Sequence, residues 1–204
     1  MLDAETTWPW VEKFDYIHTR SIAGCIENWP RLYEQSFQYV PKIHPNLMFF
    51  EHPQLIFSTS NLKPGGYIEL QEYGTQVFSP DPGVDPLRDG SVIAKWSFWF
   101  NEASRLSGRP PGYIVTQSIL SDLAAAGFVD IRQEVLMLPL GLWHQRREMK
   151  ELGGYGLLNM LDGTEGFTFK LFTKYLGWTE DKCHQLVQDV RAEFKKGVRL
   201  YTKQ

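Results

Sequence analysis

Two carboxylates and an amide, Glu69, Gln71 and Glu72, crowd the end of one apolar run. The run is LKPGGYIELQEYG, Leu62 to Gly74. Ligands of open α/β sheets sit outside the carboxyl ends of the strands. Polar groups at that end are therefore placed to face a substrate. His18, Thr19 and Arg20 stand likewise after a shorter run, Phe14 to Ile17. The same residues also fit an ordinary connection between helix and strand, and both readings stay open at this point.

The elements that must position these groups follow from the neighbouring residues. Pro64 closes whatever helix precedes it. Gly65 and Gly66 permit a tight turn with positive φ. Tyr67, Ile68, Leu70 and Tyr73 then supply a buried strand. Upstream, Asn28 and Pro30 start a helix, and Leu32, Tyr33, Phe37 and Val40 continue its apolar face. Downstream, Pro80, Pro82 and Pro86 mark a loop. Ile93, Trp96, Trp99, Phe100, Ala103 and Leu106 keep helical spacing. Trp96, Trp99 and Phe100 share a stripe that covers core or the substrate side. GRPPG at Gly108 to Gly112 breaks the pattern. Ile119, Leu120, Leu123 and Ala126 form another helix, ended by Gly127. Val129, Ile131, Val135 and Met137 read as a strand that Pro139 and Gly141 end. The last third reads as helical. Phe167, Leu171, Phe172 and Tyr175 share a stripe there. Thr179 caps a final helix through Leu186, Val187, Val190 and Phe194. VRLYTKQ begins a last strand. Strands alternating with helices define an α/β layered fold.

With 204 residues the chain is long enough for one domain with a sizeable core. Net charge is −3 and no Lys/Arg block stands out, which leaves no nucleic-acid or membrane-surface footprint. Two cysteines, Cys25 and Cys183, make neither a disulfide framework nor a zinc pattern, so no metal is expected. A reducing compartment, cytoplasm or nucleus, is the expectation. Seven tryptophans lean toward an apolar small-molecule pocket.

Val40 to Asn61 interrupts this order. VPKIHPNLMFFEHPQLIFSTSN has three prolines and two apolar bursts without a period. A structureless loop of that length is unusual inside a compact domain. It reads as an atypical insertion at 40–61.

Several motifs stand together in sequence order. They are DAETTW (Asp3 to Trp8), FDYIHTRSI, NWPRLYEQSF and LKPGGYIELQE. LAAAGFVDI, LPLGLW, LDGTEGF and LGWTED follow. This combination resembles the fungal class I S-adenosylmethionine-dependent methyltransferases of the LaeA-like group. The resemblance covers nearly the whole chain outside 40–61. It implies a partial Rossmann-like sheet, namely strands 4, 5, 6 and part of strand 7 with their flanking helices. It implies a single truncated domain, residues 1–204.

The resemblance also implies site roles. Asp3 accepts a hydrogen bond from the adenine amine of S-adenosylmethionine, and Ala4 offers its backbone N–H to the ring. His18, Thr19 and Arg20 end the strand that borders the cofactor. His18 lines the methyl-transfer pocket or is structural. Arg20 holds a carboxylate bidentately or pairs with Glu27 or Glu34. Glu69, Gln71, Glu72 and Trp99 are substrate-side candidates. Methyl transfer from a sulfonium needs alignment first. A general base helps only where the acceptor must lose a proton, and no catalytic base is named.

The departures from the family are as informative. Its glycine-rich turn after the first strand holds the methionine end of the cofactor, and no G-x-G-x-G stands in this sequence. That turn and the first three strands would lie before residue 1, so this chain alone is expected to bind S-adenosylmethionine poorly or not at all. The Phe14 strand would be a bare edge. Two function classes follow. One is the C-terminal portion of a methyltransferase acting on a small molecule of secondary metabolism or on a protein. The other is a non-catalytic homologue that binds a protein partner through the exposed sheet edge. A dehydrogenase is disfavoured because the dinucleotide fingerprint is absent. The insertion further reads as a retained intron. With Gln38 as CAG and Tyr39 as TAT, Gln38-Tyr39-Val40 contains GTATGT, and an AGY codon at Ser60 supplies an acceptor in phase. Splicing would leave Gln35-Ser36-Phe37, one histidine, then Asn61.

Overall fold

A computed structural model describes residues 3–37, 61–111 and 118–204. The described residues fall into two compact units. The first holds 3–20, 28–37, 61–71 and 118–132, and the second holds 21–27, 72–111 and 133–204.

In the first unit, β1 (Phe14–Arg20) runs parallel to β2 (Leu62–Gln71). The ladder pairs Tyr16 with Tyr67, His18 with Glu69 and Arg20 with Gln71. The strand expected over 14–17 therefore extends three residues further, and His18, Thr19 and Arg20 lie inside it. Phe14 pairs with Leu62, so the register shifts between Phe14 and Tyr16. Pro64, Gly65 and Gly66 thus form an irregularity within β2, where a turn ahead of the strand was expected. The geometry explains the glycines. Gly65 has φ +79°, and a Cβ on Gly66 would lie 3.0 Å from the carbonyl oxygens of Asp15 and Lys63. Proline is tolerated where a ladder is interrupted.

Helix α1 (Trp29–Ser36) starts as expected, with Asn28 Oδ1 accepting the Arg31 N–H at 3.0 Å. It buries Trp29, Leu32 and Tyr33. It stops at Phe37, whose backbone is extended. Phe37 packs on Phe128 with ring centroids 5.0 Å apart. It also lies over Gly127, the glycine after α3 (Ser118–Ala126), where an added Cβ would meet the Phe37 ring at 2.3 Å. Asn61 is buried against the end of α1. Its backbone N–H and its Nδ2 both donate to the Gln35 carbonyl, at 3.0 and 3.1 Å. Its own carbonyl accepts the Phe14 N–H at 2.6 Å. Val40 and the rest of the expected insertion, up to Ser60, lie outside the described residues.

The second unit packs α2 (Val92–Leu106), α4 (Arg147–Leu176) and α5 (Glu180–Lys195) with a small antiparallel sheet. That sheet orders β3 (Val77–Phe78), β5 (Leu200–Lys203) and β4 (Met137–Leu140), with β5 central. Ile93, Trp96, Phe172, Cys183, Val190 and Phe194 fill its core. Thr179 caps α5 as expected, accepting the Lys182 N–H at 3.3 Å. The strand expected over 129–137 is corrected. Val129 is 80% exposed and Val135 50%, and the strand starts only at Met137. Pro139 lies inside it, opposite Tyr201. Because β4 is an edge strand, the missing proline N–H can face away from the ladder. No helix among the described residues is long and apolar enough to cross a membrane.

Candidate functional site

Alternation along two paired strands sets the first part of the site. Residues two apart share a face. Tyr16, His18 and Arg20 on β1 therefore stand with Tyr67, Glu69 and Gln71 on β2. This face is solvent-exposed apart from the half-buried Gln71. The Tyr16 hydroxyl donates to Glu69 Oε2, and Gln71 Nε2 donates to Glu69 Oε1 at 3.0 Å. The Tyr16 ring lies 4.6 Å from Tyr67 and stacks on His18 at 5.9 Å. The bond to Glu69 pushes the Tyr16 phenol up to about 12. The Tyr16 hydroxyl holds the Glu69 carboxyl below its usual range, helped by Gln71 and by the charge of His18. Thr19 points to the other face, and its hydroxyl is buried with no partner among the described residues. Arg20 makes no ion pair among the described residues. Glu27, one partner considered for it, is paired with Arg109 at 3.1 Å.

Asp3 and Ala4 open a tight turn in the same unit. Asp3 Oδ1 accepts the Glu5 N–H at 2.9 Å, and the Asp3 carbonyl accepts the Thr6 N–H. The Ala4 carbonyl accepts Trp8 Nε1 at 2.9 Å and Gln35 Nε2 at 3.3 Å. Glu5 ties the turn to α1, because Glu5 Oε1 accepts the Asn28 N–H at 2.7 Å and its carbonyl accepts Arg31 Nε at 2.9 Å. The Asp3 side chain stays exposed.

Glu72 and Trp99 belong to the second unit. Glu72 is 3% exposed, and its carboxylate accepts the Ile22 and Ala23 N–H groups at 3.1 and 2.9 Å. Its oxygens are thus engaged by the loop that follows β1. Trp99 is at the surface of α2, edge-on to Trp178 at 5.6 Å, whereas Trp96 of the expected stripe is buried. An open cleft of about 740 Å³ in this unit is lined by Asp89, Ser91, Glu193, Lys196 and Arg199 among others, and none of the expected site residues lines it. No group of three or more His, Cys, Asp or Glu side chains among the described residues is placed to hold a metal.

Sequence reasoning named His18, Arg20, Glu69 and Gln71, which lie on this exposed face, as groups at strand ends. It missed Tyr16 and Tyr67, although period-two alternation places Tyr16 beside His18. It also missed Arg109, which reaches the loop after β1 from eighty residues away and leaves no local pattern.

The methyltransferase pytC of Aspergillus terreus is 31% identical over 191 residues, which is 94% of this chain and 51% of that protein. The secondary metabolism regulator LAE1 of Cochliobolus heterostrophus is 29% identical, over 94% of this chain and 54% of that protein. The protein-methionine methyltransferase laeA of Emericella nidulans is 24% identical, over 98% and 46%. The chain spans about half the length of the curated relatives it matches. No family model matches the chain.

Proposed function

We infer, for a chain that is a homologue of the fungal LaeA-like methyltransferases over nearly its whole length, that it carries the C-terminal portion of an S-adenosylmethionine-dependent methyltransferase. On this reading β1 and β2 correspond in chain order to strands 4 and 5 of such enzymes, β4 to strand 6 and β5 to the start of strand 7. The observation that carries it is the Asp3–Ala4 turn. The adenine edge offers a donor amine beside an acceptor ring nitrogen. Asp3 keeps an exposed carboxylate, with one oxygen engaged by Glu5. The Ala4 carbonyl is held by Trp8 and Gln35, and its amide donates to no described residue. An exposed carboxylate next to an available amide fits that edge. Among the described residues no glycine-rich turn is present for the methionine end, so this chain holds the cofactor weakly. When bound, the cofactor supplies the electrophilic methyl group. The residues of this chain orient it and the acceptor.

Glu69 and Gln71 on the exposed face serve the substrate side. The acceptor is a small molecule of secondary metabolism or a protein side chain. The Emericella nidulans relative, a protein-methionine methyltransferase, supports the second. A second reading has a specific observation behind it. β1 has β2 as its partner and an open edge among the described residues, as a homologue that binds a protein strand would. Saturation-transfer NMR with S-adenosylhomocysteine and, separately, NAD tests the enzyme reading. Transfer to the first and none to the second is expected. Equal transfer, or none to either, counts against it.

A further inference from the structure

Within the second unit, the residues after β4 lie against the first half of α4. A Cβ on Gly154 would be 3.0 Å from Leu142 Cδ2, so Leu142 rests on bare helix backbone there. Leu142 is nonetheless 59% exposed. Leu142, Leu157, Phe194 and Val198 line a pocket of about 230 Å³, and Lys195 lines it too. Residues four apart share a helix face. Lys150 therefore stands one turn before Gly154, and Leu158, 57% exposed, stands one turn after it. Arg147 and Glu151, seven and three residues before Gly154, adjoin the same face. Arg147, Lys150 and Lys195 are exposed and make no ion pair among the described residues. Three cations and one carboxylate thus flank an apolar hollow, on a chain whose net charge is −3.

Size, shape and charge select the occupant. Small-molecule sites run to roughly 300–1,000 Å³. This pocket is smaller and suits a single apolar side chain. A membrane takes apolar side chains that project into it, whereas a hollow needs a projecting group from outside. A two-fold pair of copies would set the same patch against itself, and like charges in juxtaposition are costly. We propose that this pocket docks a segment of a partner protein that projects one apolar side chain between carboxylates. The apolar anchor fills the hollow, Leu142 and Leu158 cover its flanks, and the carboxylates meet Lys150 and Lys195. The proposal does not depend on the methyltransferase reading.

Fluorescence anisotropy on the 204-residue chain tests it, with two fluorescein-labelled peptides as probes. One is EEDLLFDEE. The other, KKSLLFSKK, keeps the apolar centre and reverses the charge. The acidic peptide should bind about tenfold more tightly, the factor of one charge-assisted contact. Its affinity should fall as salt rises. Lys150→Glu combined with Lys195→Glu should turn the preference toward the basic peptide. Leu142→Asp should weaken the acidic peptide about tenfold. All three positions are exposed, so the variants should keep the native melting temperature. Equal binding of the two peptides, binding of neither, or an acidic-peptide affinity unchanged in both variants overturns the proposal. Sedimentation with phosphatidylserine vesicles that Leu142→Asp abolishes also overturns it and gives the face to a membrane. A dimer in analytical ultracentrifugation that the same substitution dissolves overturns it in favour of a second copy.

Discussion

The Gly141 N–H donates to the Gly153 carbonyl at 2.9 Å, and a Cβ on Gly153 would lie 2.2 Å from the Gly141 oxygen. The helix α4 and the end of β4 meet backbone to backbone, and no side chain fits between them. Gly153→Ala should therefore destabilise by about 1–3 kcal/mol despite the better helix propensity of alanine. Gly166, in the same helix, has nothing within 4 Å of an added Cβ. Gly166→Ala should stabilise by about 0.5–1 kcal/mol. Urea unfolding of the two variants checks the opposite signs, and a stabilised Gly153→Ala would refute the contact.

Glu193 reaches the start of α2 from α5. Its carboxylate accepts the Ser91 hydroxyl at 2.7 Å and the Val92 and Ile93 N–H groups at 2.5 and 3.1 Å. It acts as an anion at a helix N-terminus, where the dipole favours negative charge. Glu193→Ala should cost about 1–3 kcal/mol, because it leaves donors unpaired. Chemical denaturation measures this, and a loss within error would assign the capping to Ser91 alone.

Tyr16 and Glu69 give the exposed face a pH signature. Tyr16 is raised to about 12, so the folded state keeps its proton where the unfolded chain has lost it. Its contribution to stability is present below the ordinary tyrosine range and is lost as pH rises toward about 12. Glu69 is lowered, so its contribution is present above the ordinary glutamate range and lost as pH falls through its folded value. Ultraviolet titration should show one late phenol that moves down to the ordinary range in Glu69→Gln. A titration unchanged by that substitution would show that the two groups do not interact.

Local rules reached far along this chain and stopped where contacts became non-local. Asn28, Thr179 and Gly127 mark helix ends through bonds within a turn, and all three were legible. Pro64-Gly65-Gly66 was read as a turn because its partner, Asp15, is about fifty residues upstream. Only the pairing with Asp15 shows why Gly66 has no side chain. Pro139 was read as a strand terminator, since nothing local says that β4 is an edge. Glu72 was read as facing a substrate because its loop partners lie fifty residues away. Asp3 was recognised through its motif. That Asn28, Arg31 and Gln35 hold the adjoining Ala4 and Glu5 emerged only in the fold.

The described residues on either side of 38–60 are tied together, the Asn61 N–H donating to the Gln35 carbonyl at 3.0 Å. A chain joined there through one histidine should keep the fold, because closing a joint that already meets costs little. Deleting 38–60 with that linker is expected to leave the thermal midpoint unchanged or raised. Loss of cooperative melting would show that the segment belongs to the folding unit. Sequencing the transcript across the same joint checks its origin. Spliced messages that encode Phe37-His-Asn61 are expected, and a genomic Gln38 codon other than CAG would end the intron reading.

The contact between Asp3 and the adenine edge is the claim on which the functional account turns. Saturation-transfer difference NMR with S-adenosylhomocysteine, on the native chain and on Asp3→Ala, measures it directly and detects weak binding. The account expects stronger saturation at the adenine protons than along the homocysteine chain, and loss of that signal in Asp3→Ala with the fold intact. Even saturation along the whole ligand, or adenine saturation that survives the substitution, would contradict it.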